Sequence, residues 1–157
     1  VGVEIERKFL VTSDAYKEGI SGMRFLQGYL NSNKERVVRV RASGDTAQIT
    51  IKGLPKGLAR PEYEYEIPIA DAEFLLKNIC EQPIIEKTRY RVTFAGKEWE
   101  IDEFHGQNAG MVVAEIELDS IGEDFELPPW AGQEVSHDWR YFNSNLLSNP
   151  YSKWEDK

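Results

Sequence analysis

VEIERKFLV, residues 3–11, carries two different faces on one extended backbone. Val3, Ile5, Phe9 and Val11 fall on one side, and Glu4, Glu6 and Lys8 on the other. This is a strand with an apolar face and a charged face. Alternate residues of a strand stand about 6.6–7 Å apart, so two carboxylates can share one or two metal ions while the lysine reaches an anion that those ions hold. Glu115-x-Glu117 repeats the carboxylate pair. Oxygen ligands without His or Cys suit a hard cation, Mg²⁺ or Mn²⁺, rather than zinc.

The same period of two recurs along the chain. Val38 and Val40 alternate with Arg39 and Arg41, and Ile49 and Ile51 with Gln48, Thr50 and Lys52. Tyr63, Tyr65 and Ile67 alternate with Glu62, Glu64 and Glu66, and Thr88, Tyr90, Val92 and Phe94 with Lys87, Arg89 and Arg91. Trp99 and Ile101 alternate with Glu98, Glu100 and Asp102, and Ala114, Ile116 and Leu118 with Glu115, Glu117 and Asp119. A strand near 25–30 completes a set of about eight. Ser43-Gly44-Asp45 and Ala95-Gly96-Lys97 predict tight hairpins, and Gly106 to Gly110 a longer loop. Helices are expected at 71–80, capped by Asp71 with Phe74, Leu75 and Ile79 on its apolar face, and at 14–19 and 138–147. The chain reads as mainly β (α+β), with a mostly antiparallel sheet.

The charges are sorted by sign. The 39–41 and 87–91 segments present Arg and Lys, whereas 62–66, 98–102 and 115–119 present Glu and Asp. Like charges in a row destabilise a sheet, so a solvated surface would intersperse them. An anion against the basic rows and divalent cations against the acidic rows balance both, and together they describe a metal-bound polyphosphate.

Composition narrows the field further. The chain has 157 residues, 41% hydrophobic and 29% charged, the size and make-up of a single globular domain, here taken as 1–157. No apolar run approaches the roughly 20 residues of a membrane-spanning helix, so no membrane is expected. Lys+Arg 19 against Asp+Glu 27 gives a net charge of −8, which argues against duplex nucleic acid as a partner. A lone Cys80 excludes an internal disulfide, and with no leader pattern at the start the expected location is cytoplasmic. His105 and His137 read as turn or surface residues, and Trp130, Trp139 and Trp154 as exposed packing or interface residues.

VEIERKFL, RVR around Val40, ITIKG (49–53), RPEYEYEIP (60–68), KTRY (87–90), EIDEF (100–104), AEIEL (114–118) and SHDWRYFNSNLLSNPYS (136–152) occur in this order. Together they resemble the CYTH or triphosphate tunnel metalloenzyme family, over nearly the whole chain. The resemblance implies a closed eight-stranded antiparallel β-barrel with a polar lumen and a few flanking helices. It implies metal ligands at Glu4, Glu6, Glu62 or Glu64, Glu115 and Glu117, and a tunnel acid at Asp102. Lys8, Arg39, Arg41, Lys52, Lys87 and Arg89 match the family's phosphate-binding bases. Pro61 departs from a regular strand and calls for an edge, a bulge or a strand start.

The expected activity is metal-dependent hydrolysis of the terminal phosphoryl group of a triphosphate, most simply inorganic tripolyphosphate, with one or two Mg²⁺ or Mn²⁺ ions. Lys8 and Tyr29 are the candidate catalytic pair, Tyr29 sharing a strand face with Gln27 and expected to hydrogen-bond Lys8. A class IV-like adenylate cyclase and a thiamine or nucleoside triphosphatase use the same grip, though no base-recognition motif is evident. A polyphosphate-binding module without turnover is the non-enzymatic alternative. The apolar outer faces make a homodimer an expected partner state.

Overall fold

A computed structural model describes residues 2–155. Eight strands form the barrel: β1 Val3–Val11, β2 Met23–Asn31, β3 Arg36–Ser43, β4 Thr46–Gly53, β5 Ala59–Ile67, β6 Glu81–Phe94, β7 Lys97–Phe104 and β8 Val112–Glu117. All pair antiparallel in the order β5-β4-β3-β2-β6-β7-β8-β1, and β1 closes the circle on β5 through Val3↔Pro61 to Ile5↔Ala59. Pro61 therefore sits where β5 changes partner, from β1 at its start to β4 from Glu62 onward. Closure leaves no long unpaired edge.

A ninth strand, β9 Ala131–Glu134, has no alternation to announce it. It pairs with the later half of β1, where Arg7 also donates to Glu134 at 2.9 and 2.7 Å. The predicted hairpins are present. Ala95 and Gly96 both take positive φ between Phe94 and Lys97, the two-residue turn whose twist matches that of its strands.

Polar residues fill the barrel, so its apolar outer face needs cover from elsewhere. Phe9, Trp99, Ile101 and Ile116 pack beneath Phe125 and Trp130. Val40, Ala42 and Ala47 pack beneath α1, Ile69–Asn78. Phe104, Met111 and Val113 pack with Tyr141, Leu146 and Trp154 of the C-terminal segment. Ile51, Tyr63 and Tyr65, on neighbouring β4 and β5, remain exposed. Among the described residues no helix is long and apolar enough to cross a membrane.

Several expected details change. Helix α1 starts at Ile69, before Asp71, and ends at Asn78; it buries Ala72 and Leu76 and leaves Phe74 and Ile79 exposed. The i,i+4 pair with the smaller residue faces the barrel because it allows close approach. The 14–19 element is a single 3-10 turn, Ala15–Lys17. The 138–147 helix is instead two 3-10 turns, Trp139–Tyr141 and Asn143–Asn145, broken where Asn145 Nδ2 donates to the Trp139 carbonyl at 2.8 Å. Trp130 and Trp154 are buried, each edge-on to other aromatic rings, and Trp139 alone of the three is exposed. His137 is exposed, and His105 shares a hydrogen bond with Thr88 Oγ1 at 2.7 Å.

Gly28 allows α1 to lie against β2, since a Cβ there would stand 2.9 Å from Leu76 Cδ2 and 3.0 Å from Cys80 Cβ. Gly28→Val is expected to lower the unfolding free energy by about 1–3 kcal/mol through overpacking. A urea midpoint equal to that of the unsubstituted protein would refute this close packing.

Candidate active site

The inward faces of the strands enclose a cavity of about 530 Å³. Period-two parity delivers their side chains to it: Glu4, Glu6 and Lys8 from β1, Arg39 and Arg41 from β3, Lys52 from β4. Glu62 and Glu64 come from β5, Lys87 and Arg89 from β6, Glu115 and Glu117 from β8, and Tyr29 from β2. Asp102 is the exception. It is fully buried and pairs outside the cavity lining, with Arg89 in a two-pronged bond at 2.8 and 2.9 Å and with Lys87 at 2.9 Å.

Opposite-sign rows lie on adjacent strands, so the sorted charges partly balance one another. Besides Asp102 with Lys87 and Arg89, Lys52 Nζ lies 3.0 Å from Glu4 and 3.4 Å from Glu62. Arg39 reaches Thr50 Oγ1 at 3.1 Å and Glu64 at 3.5 Å. Phe25 gives Arg41 and Arg89 a common platform, each guanidinium 4.9 Å from the ring centre. Burial, reinforced by Arg39 and Arg89, pushes Arg41 down to about 10. Arg39 Nε is buried with no partner, and a polar group left so costs about 1–3 kcal/mol unless something reaches it.

The remaining acids form an arc on three adjacent strands, β5, β1 and β8. Burial and the charges of Glu115 and Glu4 push Glu6 well above the usual carboxylate range. Burial would also raise Glu115, but Lys8 and a hydrogen bond from Glu6 hold it at about 2. The buried pair is thus split, with Glu6 pushed up and Glu115 held down. Glu62, hydrogen-bonded to Glu4, is raised to about 7 by burial and by Glu4. Burial alone would raise Glu4 as well, but Lys52 keeps it below its ordinary value. Among the described residues no salt bridge reaches Glu6 or Glu117.

Carboxyl groups crowded until burial and mutual repulsion push Glu6 and Glu62 up are a donor set that a divalent cation fits, since its charge relieves that repulsion. Among the described residues no group of three converges tightly enough to cage an ion alone.

Phe142, Asn143 and Ser144 of the C-terminal segment also line the lumen. Lys8 Nζ donates to the Tyr141 carbonyl at 3.0 Å and stands 3.9 Å from Glu115. Lys87 Nζ donates to Asn143 Oδ1 at 2.9 Å. Tyr29 hydrogen-bonds Gln27 at 2.8 Å instead of Lys8. Other lining residues escape the sequence reading, Arg60, Phe142 and Asn143 among them. Arg60 shares the parity of Glu62 and Glu64 and was findable from it; it donates to the Gly53 carbonyl at 2.7 Å. Phe142 and Asn143 carry no periodic signal, because they lie in an irregular segment.

The family model of the CYTH domain matches residues 2–148. An inorganic triphosphatase of Acetivibrio thermocellus is 48% identical over 156 residues, 99% of this chain and all of that one. An inorganic triphosphatase of Nitrosomonas europaea is 36% identical over 153 residues, 94% of this chain and 99% of that one. A solved inorganic triphosphatase structure superimposes with a TM-score of 0.66 at 34% identity, covering 92% of this chain and 93% of the other.

Burial pushes Lys87 down to about 7, with Arg89 adding to the effect and Asp102 opposing it. Between about pH 7 and its ordinary 10.5, the unfolded chain therefore holds a proton that the folded one lacks, and stability gains with rising pH. Denaturant titrations at pH 7.5 and 9.5 should show the unsubstituted protein gaining about 2 kcal/mol relative to Lys87→Met. Equal pH slopes would mean that Lys87 is not depressed.

Proposed function

The chain belongs to the CYTH domain family, and from that membership we propose that it hydrolyses inorganic tripolyphosphate to pyrophosphate and phosphate with Mg²⁺ or Mn²⁺. The observation that carries this reading is the two-sided lumen. An arc of carboxylates on β5, β1 and β8 shares one enclosed cavity with Lys52, Arg39, Arg41, Lys87 and Arg89. Two relatives named inorganic triphosphatase, each matched along almost its whole length, support it.

Glu4, Glu6, Glu62, Glu64, Glu115 and Glu117 would hold one or two ions. When bound, the metal polarises phosphoryl oxygens and makes water a better nucleophile. The rest is positioning and charge, which dominate phosphoryl transfer through a loose transition state. Arg39, Arg41, Lys52, Lys87 and Arg89 bind the chain of phosphates, and Lys8 stabilises charge at the reacting terminal group. Tyr29, whose phenol burial raises above its ordinary value, stays protonated and serves as a hydrogen-bond donor. Asp102 acts from behind, fixing Lys87 and Arg89. The two relatives named inorganic triphosphatase favour the inorganic substrate over a nucleotide.

Purified protein is expected to release phosphate from tripolyphosphate with either metal and to lose that activity with a chelator. Glu6→Ala and Lys8→Ala should each lower kcat/KM by about 10²–10³ with the fold retained by circular dichroism. Full activity in either variant would remove the role assigned to that residue.

A further inference from the structure

Gln27 is completely buried on β2, two residues from Tyr29 and on the same inward face. Its amide nitrogen lies 2.8 Å from Tyr29 Oη and 3.0 Å from Asn143 Oδ1, and Lys87 Nζ lies 2.9 Å from that same Asn143 oxygen. The directions of these bonds follow from donor chemistry alone. In its protonated form, which the paired Asp102 carboxylate favours, Lys87 has no acceptor, so the Asn143 atom facing it is oxygen. The Gln27 atom facing that oxygen must then be the NH₂ group, and its two hydrogens go to Asn143 and to Tyr29. Tyr29 Oη is therefore an acceptor on this side. Its own proton is left to be donated into the cavity that the ring lines.

A second observation marks the arrangement as costly. Gln27 Oε1 is buried with no hydrogen-bond partner. An amide placed only for packing would turn to pair both of its ends, and each such orphan in a native structure calls for an explanation. Here the orphan follows from the polarity that Lys87 imposes through Asn143.

Resting on the triphosphatase reading, we infer that Gln27 and Asn143 are positioning residues that hold the Tyr29 hydroxyl proton toward a phosphoryl oxygen of the substrate. The C-terminal segment is then part of the active site, because Asn143 sets the direction of the relay from outside the barrel strands. Lys87 anchors its far end through Asp102.

The test is a double-mutant cycle on kcat and KM for tripolyphosphate with Mg²⁺. Gln27→Met should lower kcat about tenfold with KM within about threefold, and should cost less than about twofold in a Tyr29→Phe background, where no hydroxyl remains to be oriented. The same factor in both backgrounds, or an unchanged kcat, overturns the relay while leaving the triphosphatase intact. If Gln27→Met does not fold, Asn143→Leu repeats the cycle from a 3-10 turn. Its kcat loss should again vanish in the Tyr29→Phe background, while KM rises in both backgrounds through Lys87; a kcat loss that persists there overturns the relay. A wild-type protein that releases no phosphate from tripolyphosphate overturns the triphosphatase reading itself, and the relay falls with it.

Discussion

Enclosure of like charges is the constraint on which the molecule depends. Closing β1 onto β5 brings Glu4 beside Glu62, and pairing β1 with β8 brings Glu6 beside Glu115, in a lumen too confined for water to screen them fully. Neighbouring strands can neutralise only part of this. Lys52 serves Glu4 and Glu62, but Glu6 and Glu117 have no cation of their own among the described residues. The imbalance leaves Glu6, Glu62 and Glu117 each pushed above its ordinary value by burial and neighbouring carboxylates. A metal-bound polyphosphate answers both halves of the problem, supplying cations to the acidic arc and anionic oxygens to the basic one.

The rest of the fold follows from turning a barrel inside out in polarity. A polar lumen cannot be the hydrophobic core, so the core is divided into three outer clusters, each covered by a different element. One cover has a second role. The segment that packs Tyr141, Leu146 and Trp154 on the outside also sends Phe142 and Asn143 into the lumen lining, where backbone and amide oxygens meet Lys8 and Lys87. Stability and site geometry are coupled through this one stretch of chain.

Much of this was legible because strand parity is a local property. Once residues 3–11 are read as a strand, Glu4, Glu6 and Lys8 must share a side, and the same arithmetic places Arg39 with Arg41 and Glu115 with Glu117. The pairing of Asp102 was legible too, since counting back from the Ala95-Gly96 turn sets Arg89 opposite it. Reading each charged row on its own concealed that neutralisation. Asn143 and Phe142 were not legible. Their placement depends on an aperiodic path fixed by long-range packing, and a helix over 138–147 was the wrong expectation for the same reason. Likewise α1 turns Ala72 rather than Phe74 to the barrel, a choice made by the space beneath it and not by hydrophobicity.

The most direct measurement is a crystal structure with tripolyphosphate and Mn²⁺, located by anomalous scattering. The account predicts manganese inside the barrel on the Glu6 and Glu115 side, with phosphates against Arg39, Arg41, Lys87 and Arg89. Manganese and phosphate bound only on the outer surface, with the Lys52–Glu4 and Glu6–Glu115 contacts undisturbed, would contradict it.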